Sequence, residues 1–121
     1  MAKRDPRTAN GTTRRKNRAR LRAEGRPCWI CAAFGRPPAI DYSLPAGHPF
    51  SFEVDELVPV SRWRDGGYLS PEQCAADYAN LAAAHRRCNQ WRSNKSVDEV
   101  IAIARESRAD ARCDGSTSRE W

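Results

Sequence analysis

Two pairs of side chains able to ligate a metal lie far apart in this 121-residue chain. Residues 28–31 read Cys-Trp-Ile-Cys, and residues 85–88 read His-Arg-Arg-Cys. With two residues between the members, one turn of backbone presents both side chains to the same ion. Together the pairs make the Cys₃His set of tetrahedral zinc. Such a site staples distant segments and can supply on the order of 10 kcal/mol toward folding. A redox Cys-x-x-Cys or ordinary buried thiols are the alternatives, but a redox motif wants a βαβ context that does not follow Cys31. Cys28, Cys31, His85 and Cys88 are therefore expected to hold a structural Zn²⁺. Cys74 and Cys113 have no partner at ligand spacing and read as free thiols. His48, in Pro-Ala-Gly-His-Pro, reads as a surface residue and a minor candidate only.

Between the pairs, the run Phe-Glu-Val-Asp-Glu-Leu-Val-Pro-Val-Ser over residues 52–61 sets Asp55 beside Glu56. Adjacent acids in a strand-like run are either solvated strand-edge residues or oxygen donors for a hard cation. The charge around them is uneven. Residues 1–26 hold ten Lys/Arg against Asp5 and Glu24, whereas the remainder holds eleven against thirteen Asp/Glu. A basic arm on a nearly neutral body is the footprint expected for a polyanion, against the alternative of a solvated tail. Arg14, Arg15, Lys16 and Arg18 in the arm, and Arg86, Arg87 and Arg92 around the second ligand pair, are the candidates to meet phosphates; a solvated helical face is the other reading of the latter group.

The elements that must position these groups are short. Large apolar residues are sparse and a 121-residue chain offers one modest core, the kind that needs a staple. Residues 12–24 contain good helix formers and stop at Gly25, but they lack an apolar face, so this helix is expected to order only against DNA or the body. Residues 27–31 read as a tight turn, followed by a Pro/Gly-rich connection. Phe50, Phe52 and Val54 alternate along a strand that ends at the paired acids. Gly66-Gly67 marks a turn, and Ser70-Pro71 starts a helix running to about Tyr78. Residues 80–95 begin extended and turn helical after His85. Ser96 caps a last helix with Val97, Val100, Ile101 and Ala104 on one face, and the chain is expected to fray from Arg112. Residues 1–8 are expected to be disordered. Trp63 and Trp91 read as packing residues. No apolar run approaches the ~20 residues of a membrane span. The N-terminus has no signal-like apolar segment, so the expected location is a reducing cytoplasm.

With Asn80-Leu81, Cys88-Asn89 and Lys95 added, residues 26–96 resemble the HNH endonuclease family, in particular its small phage-type members. That pattern is a Cys-x-x-Cys, a strand ending Asp-His before a Pro-x-Ser, an Asn-Leu, a second knuckle running into Cys-Asn or Cys-His, and a Lys. The resemblance implies an α+β fold with a ββα-metal (His-Me finger-like) core, stapled by the zinc. The expected domain spans residues 26–108, between a basic arm at 1–25 and a flexible tail at 109–121. It implies that Asp55 and Asn89 hold a catalytic divalent ion, Mg²⁺ or Mn²⁺, that Asn80 orients the base or holds the loop, and that Lys95 contacts a phosphate. The activity implied is hydrolysis of phosphodiester bonds in double-stranded DNA by a monomer or weak dimer. Phage packaging or other DNA-processing proteins would be its partners, in the host cytoplasm.

Glu56 departs from the pattern, because the family's general base there is His. A carboxylate can accept a proton from water, though its lower pKa makes it the weaker base unless burial raises it. It can instead join Asp55 as a hard ligand, or cleavage can be lost. The alternative function is accordingly a zinc-knuckle DNA-binding protein with weak or no catalysis.

Overall fold

The computed structural model describes residues 11–118, with side chains described through residue 111. The disorder expected for residues 1–8 and the Cys113 side chain lie outside that range. The fold is small and α+β, built on one antiparallel pair of strands, β1 (Phe52–Glu56) and β2 (Leu81–His85). Phe52 pairs with His85 and Glu56 with Leu81. This register puts Phe52, Val54 and Glu56 on one face and Glu53 and Asp55 on the other, since strand side chains alternate.

Helix α1 (Gly11–Glu24) lies on the first face. Its single buried side chain is Leu21, which packs with Phe52, Leu81 and Ala83. The helix is ordered against the body, one of the two outcomes the sequence leaves open, and polar contacts do most of the anchoring. Arg14 and Asn17 donate to the carbonyls of Ala75 (3.2 Å) and Ala76 (3.0 Å), and the Arg20 guanidinium lies 3.8 Å from the centre of the Tyr78 ring.

On the second face lie α2 (Trp29–Phe34) and α4 (Arg86–Arg92). The helix α2 corrects the reading of residues 27–31 as a mere turn. Cys28 caps it, its sulfur accepting from the Cys31 N–H, and Gly35 ends it in the left-handed region at φ 72°. Ile-Cys-Ala-Ala between those signals is enough for one and a half turns. The strand β2 is buried throughout as Leu-Ala-Ala-Ala-His, and its small side chains let both layers approach closely. Phe50 falls outside β1 and is exposed, so the expected alternation starts only at Phe52.

The loop between the strands carries a 3₁₀ segment (Val60–Gly66), α3 (Pro71–Ala76) and a 3₁₀ turn (Tyr78–Asn80). Ser70 caps α3, its hydroxyl accepting from the Gln73 N–H, as the sequence indicates, but the helix stops at Ala76, short of Tyr78, because Asp77 turns extended and caps the next turn. Val60, Cys74 and Ala75 form a small satellite core with Trp63 and Tyr68 against it. The last helix, α5 (Val97–Ser118), starts at Ser96, whose hydroxyl accepts from the Glu99 N–H. It packs Val100 and Ala104 inward and runs past Arg112, where the sequence reads as fraying. No described helix is long and apolar enough to cross a membrane.

Because Leu21 is the only apolar anchor of α1, Leu21→Ala is expected to lower stability by about 3 kcal/mol. Denaturant midpoints read that loss, and amide exchange should rise first in residues 11–24.

Candidate functional site

Cys28 occupies the N-cap of α2 and Cys31 its third position; His85 occupies the N-cap of α4 and Cys88 its third position. The x-x spacing is therefore one geometric device used twice, since cap and third residue lean over the same helix start. The four ligand atoms lie within 4.8 Å of one another and all four residues are buried. Cys31 Sγ is 3.4 Å from His85 Nδ1 and 3.6 Å from Cys88 Sγ, and Cys88 Sγ is 3.9 Å from Nδ1. A tetrahedron with Zn–S of about 2.3 Å and Zn–N of about 2.0 Å has edges of roughly 3.5–3.8 Å. The cluster fits a structural metal such as zinc.

The surroundings favour that state. Nε2 of His85 lies 3.1 Å from the Ala39 carbonyl. A proton placed there leaves the Nδ1 lone pair facing the sulfurs, the usual outer-shell support of a metal-bound imidazole. The Cys31 and His85 N–H groups point at Cys28 Sγ (3.5 and 3.4 Å). A hydrogen bond from the Cys88 thiol, and these backbone N–H groups after it, hold the Cys28 thiol down to about 4. The same bond from the donor's side, with burial, pushes Cys88 far up. The Cys28 thiol is thus favoured as a thiolate, and a bound divalent ion would favour ionisation of the other thiols as well.

Beside the cluster, α4 faces the acids of β1. Asp55 is 5 % exposed. Its Oδ2 accepts from Trp29 Nε1 and from Arg92 Nη1, both at 2.7 Å, while Oδ1 takes no hydrogen bond among the described residues. Burial pushes the Asp55 carboxyl up, against the pull of the Arg92 charge beside it. Arg92 is wholly buried and also donates to the carbonyls of Glu56, Leu57 and Lys95. The expectation that Arg92 meets phosphates is therefore corrected: its place at 86, 89, 92 spacing turns it onto the strand, not to solvent. Glu56, next in the strand, points to the opposite face and pairs with Arg14 at 3.1 Å. The two acids do not share a site, which removes Glu56 as a co-ligand of Asp55.

The other expected residues fall as follows. Asn80 is buried and clamps the loop after β1, its Oδ1 accepting from the Val58 N–H (2.8 Å) and its Nδ2 donating to the Val58 carbonyl (3.0 Å). Asn89 donates to Glu53 at 3.0 Å. Lys95 donates to the Trp91 carbonyl at 3.0 Å, closing the end of α4. Arg86 pairs with Glu53 at 3.1 Å. Arg15, Lys16, Arg18 and Arg87 are exposed, as is Trp91, which still packs edge-on against Phe34. The sequence reading missed Glu53 and Trp29. The signal for Glu53 was its place two residues before Asp55, on the same strand face. Trp29 gave none, because its contact depends on α2. Among the described residues, Glu53, Asp55 and Glu56 form no second three-ligand set of the Cys₃His kind.

No protein-family model, curated protein or solved structure matches the chain.

Two outcomes are expected here. Purified protein should carry about one zinc per chain, and chelation or Cys31→Ser should release it with loss of the cooperative fold; a zinc-free, equally stable protein overturns the assignment. The Cys28 thiolate is depressed on folding, so its contribution is present above the ordinary thiol range and lost as pH falls through about 4. Protons compete with the metal for the ligand thiolates, so acid titration should release zinc and unfold the chain together. Separately, Arg92→Leu leaves a buried carboxylate unpaired and should cost about 3–5 kcal/mol, whereas Arg92→Leu with Asp55→Asn should cost less than the sum of the two.

Proposed function

We propose that the chain is an HNH-type endonuclease that hydrolyses phosphodiester bonds in DNA, with a structural zinc holding a ββα core. The reading is carried by Asp55: a buried carboxylate at the end of β1, fixed on Oδ2 by Trp29 and Arg92, with Oδ1 left outside those bonds. Burying a carboxylate is costly in desolvation, and Trp29 and Arg92 compensate it on Oδ2. Support comes from chain order, since strand, clamped loop, strand and helix follow one another directly, and α4 lies on the acid-bearing face.

Asp55 Oδ1 and Asn89 Oδ1 are the atoms that would hold a Mg²⁺ or Mn²⁺ ion, hard oxygen donors suited to either. When bound, such an ion supplies Lewis acidity to the scissile phosphate. Glu56, across the sheet from Asp55 and paired with Arg14, does not face that ion. Asn80 fixes the loop that carries Glu56 into Val58. Arg15, Arg18 and Arg87 neutralise backbone phosphates.

A second reading is favoured by one observation. The Arg92 guanidinium already gives Asp55 a permanent cation, as in a DNA-binding protein that has given up cleavage.

Incubation of supercoiled plasmid with zinc-loaded protein separates the two. Nicking is expected with Mg²⁺ or Mn²⁺, falling at least about a hundredfold in Asp55→Asn, which keeps acceptors for Arg92 and Trp29. Glu56→His should cleave faster if residue 56 takes the proton. Equal nicking by Asp55→Asn, or none with Mg²⁺, Mn²⁺ or Ni²⁺, leaves the binding-only reading.

A further inference from the structure

A cleft of about 360 Å³ opens where α1 passes β1, and Arg14, Arg15, Arg18 and Arg86 all line it. Three come from one face of α1, at the spacing that makes helix residues neighbours, and the fourth from the first turn of α4. Glu53 is the one carboxylate among the lining residues. Arg14 and Arg86 tie layers to the sheet through carboxylates, but Arg15 and Arg18 add repulsion to the concavity with no such pair among the described residues, which suits an anion site.

The present partners of these arginines show what kind of anion. Arg14 and Arg86 each hold a carboxylate at 3.1 Å, Glu56 and Glu53 respectively. Planar oxygen anions are thus already received here, by forks that fit phosphate equally well. Arg15 donates only to the Thr12 hydroxyl, at 3.3 Å. Arg18 lies 5.2 Å above the ring of Phe52, which lines the same cleft. Among the described residues, neither of these exposed arginines has a carboxylate partner. Ser51 also borders the cleft, and its buried hydroxyl has no hydrogen-bond partner among the described residues. Phe52 itself is buried beneath the Arg18 guanidinium and forms the apolar floor of the cleft. The volume suits one nucleotide unit and not the cross-section of a duplex.

We propose that this cleft is a phosphodiester-binding site that takes one nucleotide unit of a nucleic-acid strand, its phosphate on Arg15 and Arg18. The assignment rests on the reading of the chain as a DNA-processing protein and adds to it the place where a strand is held, on the α1 face of the sheet, opposite Asp55.

The test uses the full-length, zinc-loaded protein and a fluorescein-labelled 20-nucleotide strand, alone and as a duplex. Anisotropy is read over a range of KCl without added divalent ion. Arg15→Gln with Arg18→Gln is expected to weaken binding at least about tenfold and to reduce the salt slope by about one for each phosphate no longer neutralised. Arg15→Lys with Arg18→Lys should fall between, and Arg64→Gln, on the exposed 3₁₀ segment, should match wild type. Wild-type binding with an unchanged Gln double variant overturns the cleft but not the DNA reading. Cleft-dependent binding without plasmid nicking overturns the nuclease and leaves the cleft. Absence of binding overturns both. Displacement of the strand by millimolar inorganic phosphate, with the same weakening in the Gln variant, assigns the cleft to free phosphate and overturns the strand.

Discussion

Two helices begin at one point, and the rest of the chain is arranged around that meeting. The starts of α2 and α4 each contribute a cap residue and a third residue, so four ligand atoms converge on one spot, where the Cys31 and His85 N–H groups donate to Cys28 Sγ. Helix starts favour negative charge, so thiolates are at home there, and a divalent ion balances the excess. The meeting joins residues 28 and 88, hence the front of the domain to the end of β2. Once it is made, β1 can pair with β2, and α5 packs on α2.

The acids of β1 owe their separate fates to the two-residue period of a strand. Adjacent in sequence, Asp55 and Glu56 lie on opposite faces and answer to different helices, Arg92 on α4 and Arg14 on α1. Each ion pair ties one layer to the sheet. The two pairs differ in kind. Arg92 and Asp55 are desolvated, with every carbonyl nearby recruited as a further acceptor, so their geometry is rigid. Arg14 and Glu56 are partly solvated and exchange partners cheaply.

What the sequence discloses follows the range of each interaction. The ligand pairs were legible because spacing within one turn is local chemistry, as were the caps at Ser70 and Ser96 and the switch from strand to helix at His85. The short helix after Cys28 was masked by the Pro/Gly-rich segment that follows, although its own cap and Gly35 are present. Arg92 misled because a basic residue beside a ligand pair looks solvent-facing until the strand it covers is known. The contacts of Trp29 depend on where α2 lies in space, which no local pattern carries. The role of α1 was half legible: its lack of an apolar face is real, and its order comes from polar contacts with distant carbonyls.

Those polar contacts bind fold and ligand recognition together. Arg14 and Arg86 hold layers in place through carboxylates while lining a concave, cationic surface. Any polyanion that engages them must displace Glu56 or Glu53, so part of its binding free energy is spent on breaking internal pairs. Arg15 and Arg18 have no carboxylate to surrender among the described contacts, and in the proposed complex they would carry the net attraction. A ligand held by the second pair and only brushing the first stabilises the native state by mass action. One that captures all four loosens α1 from the sheet. In the proposed complex, the division between paired and unpaired arginines would therefore set how tightly the arm can grip before it detaches from the body.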